Sequence, residues 1–202
     1  MKKVLLLLAN GFEEYEASAF TDVLGWSRAF GNVPLEVVTV GRHSKLKCTW
    51  NFTVIPEKLL NEINADEYDA LAIPGGFEKA GFYEDAYSED FAEIIRRFHE
   101  KSKIIASICV AALALGKSGI LKGKNATTYH LLEGRRRKEL SKFGANVLDE
   151  HVVIDKNIIT SSCPATAIDV AFALLELLTD KDNCNKVKEW MGFVNAGEAL
   201  RD

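Results

Sequence analysis

The first apolar run of the chain, Val4 to Ala9, has no polar alternation, which predicts a strand buried on both faces. From Glu14 the spacing turns helical as far as Phe30, and Leu35 to Val40 reads as a second strand. The pattern continues with a hairpin through Cys48 to Ile55, a short turn of helix after Pro56 and a strand at Ala70 to Ile73. Ser88 suits the N-cap of a helix running to Glu100, because its hydroxyl can accept from an amide that has no partner there. Lys103 to Ile108 reads as a strand, Val110 to Gly116 as a helix, Asn125 to Thr128 as a brief strand and Leu132 to Phe143 as a helix. Val152 to Ile154 and Ile158 to Ser161 form a hairpin about "DKN"; Pro164 opens a helix to Leu178, and Asp182 to Met191 is the last helix.

Strands that alternate with helices in this way predict an α/β fold: a three-layer α/β/α sandwich around a mostly parallel, twisted sheet. No repeat, low-complexity stretch or linker interrupts the pattern, so residues 1–202 are expected to form a single domain. Such sheets place their sites beyond the carboxyl ends of the strands. The polar residues just past the expected strands are Glu13, Glu14 and Glu16; Gly75 and Gly76 of "PGG"; Cys109; Tyr129 and His130; and Ser162, Cys163 and Pro164. Acid, bare amides, thiol and imidazole are thus expected on one edge.

The residues alone leave two readings of Cys109 open. At a strand-to-helix turn its sulfur faces the first helical amides, which favour thiolate and would make it the most acidic thiol of the chain. Equally, cysteine is a common small core residue. Glu13 and Glu14 are accounted for as first-turn carboxylates that complement the helix dipole. Glu16, beside Ala17 and Ala19, is the acid expected to turn inward, where burial against a sulfur would raise its pKa and let it shuttle a proton. His43, His99 and His151 lie in polar surroundings and read as surface residues; Cys48 and Cys184 receive no role, and Cys163 reads first as a packed residue before Pro164.

Composition adds exclusions. With 25 Lys+Arg against 29 Asp+Glu, the net charge of -4 argues against a nucleic-acid surface. The basic cluster Arg135 to Arg137 lies among Glu133, Lys138 and Glu139 and reads as a solvated helix face. The lysines before the first apolar run suggest a signal peptide, but the run ends at Ala9 against acids, and no other stretch is long enough to span a bilayer. The 4 cysteines show neither paired nor zinc-site spacing, so a reducing cytoplasm, no metal and no membrane partner are expected. "GFEKAG" lacks the lysine–hydroxyl ending of a phosphate loop, and with no nucleotide or flavin fingerprint no cofactor is expected.

The segments "ANGFEEYEA", "LAIPGG", "IIASICVAALALG", "GKNATTY" and "IITSSCPATAIDVAFALLELL" together resemble the ThiJ/PfpI family, in order from about Lys3 to Leu178. The resemblance implies a class I glutamine amidotransferase-like (flavodoxin-like) sheet with Cys109 as the reactive cysteine and Glu16 as its protonated partner. It also implies an oxyanion hole made by the amides of Gly76 and Val110. The activity implied is a cofactor-independent enzyme acting on a small-molecule carbonyl, of glyoxalase or deglycase type. The alternative is a redox sensor whose Cys109 is oxidised to sulfinate, and a cysteine peptidase ranks third.

This sequence departs from the family pattern at several points. Val110 stands where peptidase-like members have histidine. Tyr129 occupies the deglycase-like histidine position with His130 one residue on, so either could substitute for it. Ser162 and Cys163 replace an arginine and a glycine, and Ala111 replaces a glycine. The resemblance further implies a homodimer, an expectation joined to the apolar residues Phe20, Val23, Leu24 and Trp26 of the first helix.

Overall fold

The first apolar run becomes an inner strand of a seven-stranded sheet in the computed structural model, which describes residues 1–193. Residues 194–202, included in the expected single domain, lie outside the described residues. Strand β1 (Lys2–Leu8) pairs in parallel with β2 (Leu35–Gly41) on one side, and on the other with the strand Ala70–Ile73. Every residue from Val4 to Leu8 is buried, as a strand covered on both faces requires.

Between β1 and β2 runs helix α1 (Glu14–Phe30). Beyond β2, β3 (Leu46–Lys47) and β4 (Thr53–Val54) form a small separate antiparallel pair, and β5 (Lys58–Leu59) extends the main sheet beside β2. The expected hairpin therefore starts earlier than Cys48, and the helical turn after Pro56 follows β5, at Leu60–Glu62. On the other side of β1 the order is β6 (Ala70–Ile73), β7 (Ile104–Ser107), then the final hairpin. The chain thus leaves β1 toward β2 but continues from β6 in the opposite direction, which opens a crevice at the carboxyl ends of β1 and β6.

Helix α2 (Phe82–Ala86) precedes α3 (Glu89–Glu100), whose Ser88 Oγ accepts from Phe91 N as the sequence suggests. The buried positions Phe91, Ile94, Ile95 and Phe98 give α3 one apolar stripe against the sheet. Helix α4 (Ala111–Lys117) follows the cysteine, packs between α3 and α5, and is buried at every residue but Lys117.

The strand expected at Asn125 to Thr128 shortens to β8 (Asn125–Ala126). It pairs with β9 (Asn146–Val147) in a sheet of its own, since Thr127 N donates instead to Thr160 Oγ1 at 3.0 Å. The helix expected from Leu132 begins later, as α5 (Arg135–Lys142). Leu132, Glu133 and Gly134 have φ of 55°, 57° and 67°, a left-handed turn that no helix can include.

The final hairpin is β10 (Val152–Asp155) and β11 (Ile158–Ser161), with β11 parallel to β7 and β10 antiparallel at the edge. Pro164 opens a short 3-10 turn before α6 (Ala167–Leu178), and α7 (Lys181–Trp190) starts with Asp180 accepting from Asn183 N at 2.8 Å. Helices α1, α6 and α7 pack together on one face, with α3, α4 and α5 on the other. No helix of the described residues is long and apolar enough to cross a membrane.

Candidate active site

Strand β7 ends at Ser107, and two residues later Cys109 turns the chain into α4 with φ of 56°. A non-glycine residue in the left-handed region costs roughly 1–2 kcal/mol, and strain of this sort gathers at functional turns. The turn is clamped from the neighbouring segments. Cys109 N donates to Ser161 Oγ at 3.4 Å from the end of β11, and Thr128 Oγ1 donates to Cys109 O at 2.9 Å from beyond β8.

Glu16 enters from α1. Its side chain is fully buried, and Oε2 accepts from Gly75 N at 2.5 Å. Oε1 is buried without a hydrogen-bond partner among the described residues. Gly75 is required here for space: a Cβ would stand 2.9 Å from both Glu16 Oε2 and Ile108 O, and 3.1 Å from Val110 N. Acid, glycine turn and cysteine elbow are thus packed through one backbone unit.

Gly76 is equally confined, since a Cβ would lie 2.3 Å from Gly11 O and 2.5 Å from Phe82 Cδ2. Its neighbours on either side are tied to the Gly11–Glu13 turn by Glu13 N to Gly75 O and Phe77 N to Gly11 O. Among the described residues, neither Gly76 N nor Val110 N donates to a backbone carbonyl. The Val110 N–H is instead directed at the Cys109 sulfur.

The electrostatics correct one expectation. Burial pushes the Glu16 carboxyl up from 4.5 to about 8, with the Glu13 charge adding to the effect and the Gly75 N–H opposing it. The Cys109 thiol, 5% exposed, is raised rather than lowered, first by burial and then by the Glu16 carboxylate, while the Val110 N–H only partly offsets this. Burial thus opposes the thiolate that the sequence position of Cys109 favours, and at neutral pH the sulfur faces a protonated Glu16. Cys163 is the most accessible of the cysteines; Cys48 and Cys184 are buried in the core and all four are unpaired.

The other sequence candidates separate. Tyr129 is half-buried against the core. His130 lies in a small cavity of about 50 Å³ lined also by Arg137, Asp149, His151 and Ser162. Ser162 is buried, with its hydroxyl 3.6 Å from Cys163 Sγ.

Glu13 and Glu14 are more than dipole complements. Glu13 is buried, which raises its pKa, and Glu14 Oε1 accepts from Trp50 N at 2.9 Å and so docks the β3–β4 hairpin. The arginine cluster is not simply solvated either: Arg135 and Arg136 both bind Glu78, and Arg137 binds Asp149. His43 pairs with buried Asp85 at 3.0 Å, beside Arg42 at 3.1 Å, and Asp85 also accepts from Asn10 N at 2.8 Å. His99 is half-buried with Nδ1 unpartnered, and burial lowers its pKa. Sequence reasoning missed Asp85, because it lies in the polar run "FYEDAYSED", where nothing in the periodicity marks an inward residue.

The model of the DJ-1/PfpI family matches residues 2–177. The chain belongs to the DJ-1/PfpI family. It is 31% identical over 191 residues to Protein DJ-1alpha of Drosophila melanogaster, covering 94% of this chain and 83% of that one. The crystal structure of Drosophila melanogaster DJ-1beta superposes with a TM-score of 0.84 at 27% identity, over 96% of this chain and 99% of that chain. Schizosaccharomyces pombe DJ-1 gives a TM-score of 0.77 at 28% identity, over 94% and 98%. These likenesses agree with the α/β sandwich and the mostly parallel sheet seen here.

Proposed function

We propose that this family member is a cysteine enzyme that adds Cys109 to a small reactive carbonyl, in a reaction of glyoxalase or deglycase type. The observation that carries the reading is Glu16: a buried acid, protonated at neutral pH, with one oxygen held by Gly75 and the other unpartnered beside Cys109. As the sulfur attacks, the S–C bond forms and the carbonyl π pair moves to oxygen. Glu16 gives its proton to that oxygen and takes the thiol proton. The N–H groups of Gly76 and Val110 stabilise the charge that develops on the oxygen.

With a 2-oxoaldehyde, Glu16 next moves the carbon-bound proton from C1 to C2 while the hydroxyl proton passes from the C1 oxygen to the C2 oxygen, and water hydrolyses the resulting thioester to a 2-hydroxy acid, restoring the thiol. No step as written requires a cofactor or metal. A peptidase reading has less support, because Val110 follows the cysteine where that chemistry needs a base. The redox-sensor reading draws on the same unpartnered Glu16 oxygen, which could donate to a sulfinate, but the burial of Cys109 weighs against ready oxidation.

We also place the protein in a reducing cytoplasm, on its four unpaired cysteines, and assign it as a homodimer. The support for the dimer differs from that expected: Phe20, Val23 and Leu24 are fully covered within their own chain, and of the four only Trp26 is half-buried. Among the exposed apolar residues, Tyr15, Trp50 (60%), Phe52 (69%) and Ile55 (77%) lie on and beside the β3–β4 hairpin. The function is tested by incubation with methylglyoxal while following lactate. Lactate from the wild type and none from Cys109→Ser is the expected result, and equal rates from both, or none from either, would overturn the reading.

A further inference from the structure

Gly76 is pressed from two directions, by the carbonyl of Gly11 in the turn after β1 and by the Phe82 ring at the start of α2. One side chain joins these two walls. Asp85, one turn further along α2, accepts from Asn10 N through Oδ2 at 2.8 Å. Its Oδ1 accepts from Arg42 at 3.1 Å and lies 3.0 Å from His43 Nε2, both in the loop after β2. The carboxylate is buried, which is costly for a charge unless its oxygens are engaged in this way.

From Asn10 the hold passes at once to the "PGG" turn. Gly11 O accepts from Phe77 N at 3.2 Å, Glu13 N donates to Gly75 O at 2.8 Å, and Phe12 forms a β-bridge with Gly76 between them. Gly75 N in turn donates to Glu16 Oε2, and the space beside Gly75 is closed by Ile108 O and Val110 N of the cysteine elbow. The other side of the Asn10–Gly11 turn has separate anchors: Gly11 N donates to Lys47 O and Thr49 Oγ1 donates to Gly11 O, each at 2.7 Å. Loss of Asp85 therefore frees the α2 side while the hairpin side stays fastened.

We propose that Asp85 is a positioning residue: by fastening the Asn10–Gly11 turn to α2 it fixes the direction of the Gly76 N–H and holds Gly75 against Glu16. Its consequence for turnover rests on the carbonyl-addition reading above. Asp85 itself touches neither the sulfur nor a substrate. A donor aimed at charge that forms in the transition state acts only if its direction is set beforehand, and small displacements of such groups cost rate more than binding. The bond to Asn10 N carries the role, because it reaches the turn; the ion pair with Arg42 does not.

The test separates the two bonds. Asp85→Ala removes both, Asp85→Asn keeps an oxygen for Asn10 N but gives up the charge, and Arg42→Gln removes the ion pair alone. Asp85→Leu, which fills the same space without an acceptor, repeats the alanine arm without leaving a cavity. Amide hydrogen exchange at Glu13 and Phe77, read by NMR, should speed up about tenfold in the alanine and leucine variants while Leu6 of β1 keeps its wild-type rate. Asp85→Asn and Arg42→Gln should exchange as wild type at all three amides. With methylglyoxal, kcat for lactate should fall about tenfold or more in the alanine and leucine variants with KM within about twofold of wild type, and should be retained in the other two. Equal loss in all four variants, as an ion pair that merely stabilises the fold would give, or unchanged exchange in the alanine and leucine variants, would overturn the proposal. Absence of lactate from the wild type would remove the enzymatic reading; exchange that speeds up without Asp85 and is rescued by asparagine would still support the positioning of the turn, and exchange without that rescue would end it.

Discussion

Replacing Glu16 by glutamine should change how stability depends on pH. In the unfolded chain the carboxyl ionises near 4.5, whereas in the folded protein it holds its proton up to about 8. Below the lower value both states are protonated, and stability does not vary with pH through this group. Between the two values unfolding releases a proton, so the folded state loses about 1.4 kcal/mol for each pH unit of rise. The contribution present at low pH is thus lost as pH climbs through the window, and the whole gap from 4.5 to about 8 corresponds to about 5 kcal/mol.

Glutamine does not titrate. Its oxygen can still accept from Gly75 N, and its buried NH2 imposes a constant cost of about 1–3 kcal/mol that does not vary with pH. Between pH 5 and pH 7 the difference in unfolding free energy should therefore move by about 3 kcal/mol in favour of Glu16→Gln. Urea titrations of both proteins across that range would show it as a relative midpoint shift of about 1 to 2 M, taking a slope of about 2 kcal/mol/M. A midpoint difference that stays constant from pH 5 to pH 8 would mean that Glu16 is already ionised in the folded protein, and the proton-transfer role would fall with it.

Cys163 should react with iodoacetamide before Cys109 at pH 7, because it is the more accessible thiol; peptide mapping that finds Cys109 modified first would contradict the order read from burial. Gly75→Ala should cost roughly 1–3 kcal/mol of stability and at least a hundredfold in aldehyde turnover, since the added methyl meets Glu16 Oε2, Ile108 O and Val110 N at once; wild-type kcat in a folded variant would refute this packing. Light scattering at micromolar concentration should give twice the 22.4 kDa chain mass, and Phe52→Asp with Ile55→Asp should reduce it to one chain; a wild-type monomer would exclude the dimer. Dilute peroxide should leave Cys109 largely unoxidised at pH 7 by intact-mass analysis, whereas rapid conversion to sulfinate would favour the sensor over the enzyme.

Local pattern was enough for the elements and for the edge on which they converge. The unbroken apolar run Val4–Leu8 could only be an inner strand, the spacing of Phe91, Ile94, Ile95 and Phe98 could only be one face of a helix, and the order of strands and helices fixed a parallel sheet with its site at the carboxyl ends. That Glu16, Gly75 and Cys109 lie together followed from the same order. What the tertiary structure decided was the condition of those groups. Glu16 meets Gly75 across 59 positions of chain, and its proton is retained because residues remote in sequence exclude water from it. The same enclosure raised the Cys109 thiol against the pull of the Val110 N–H, a balance that spacing alone had left open. Asp85 with His43, and Arg135 and Arg136 with Glu78, likewise depend on segments 42 or more residues apart. Periodicity is a property of the chain and can be read along it; desolvation and pairing belong to the surroundings of an atom, which exist only once the chain has folded.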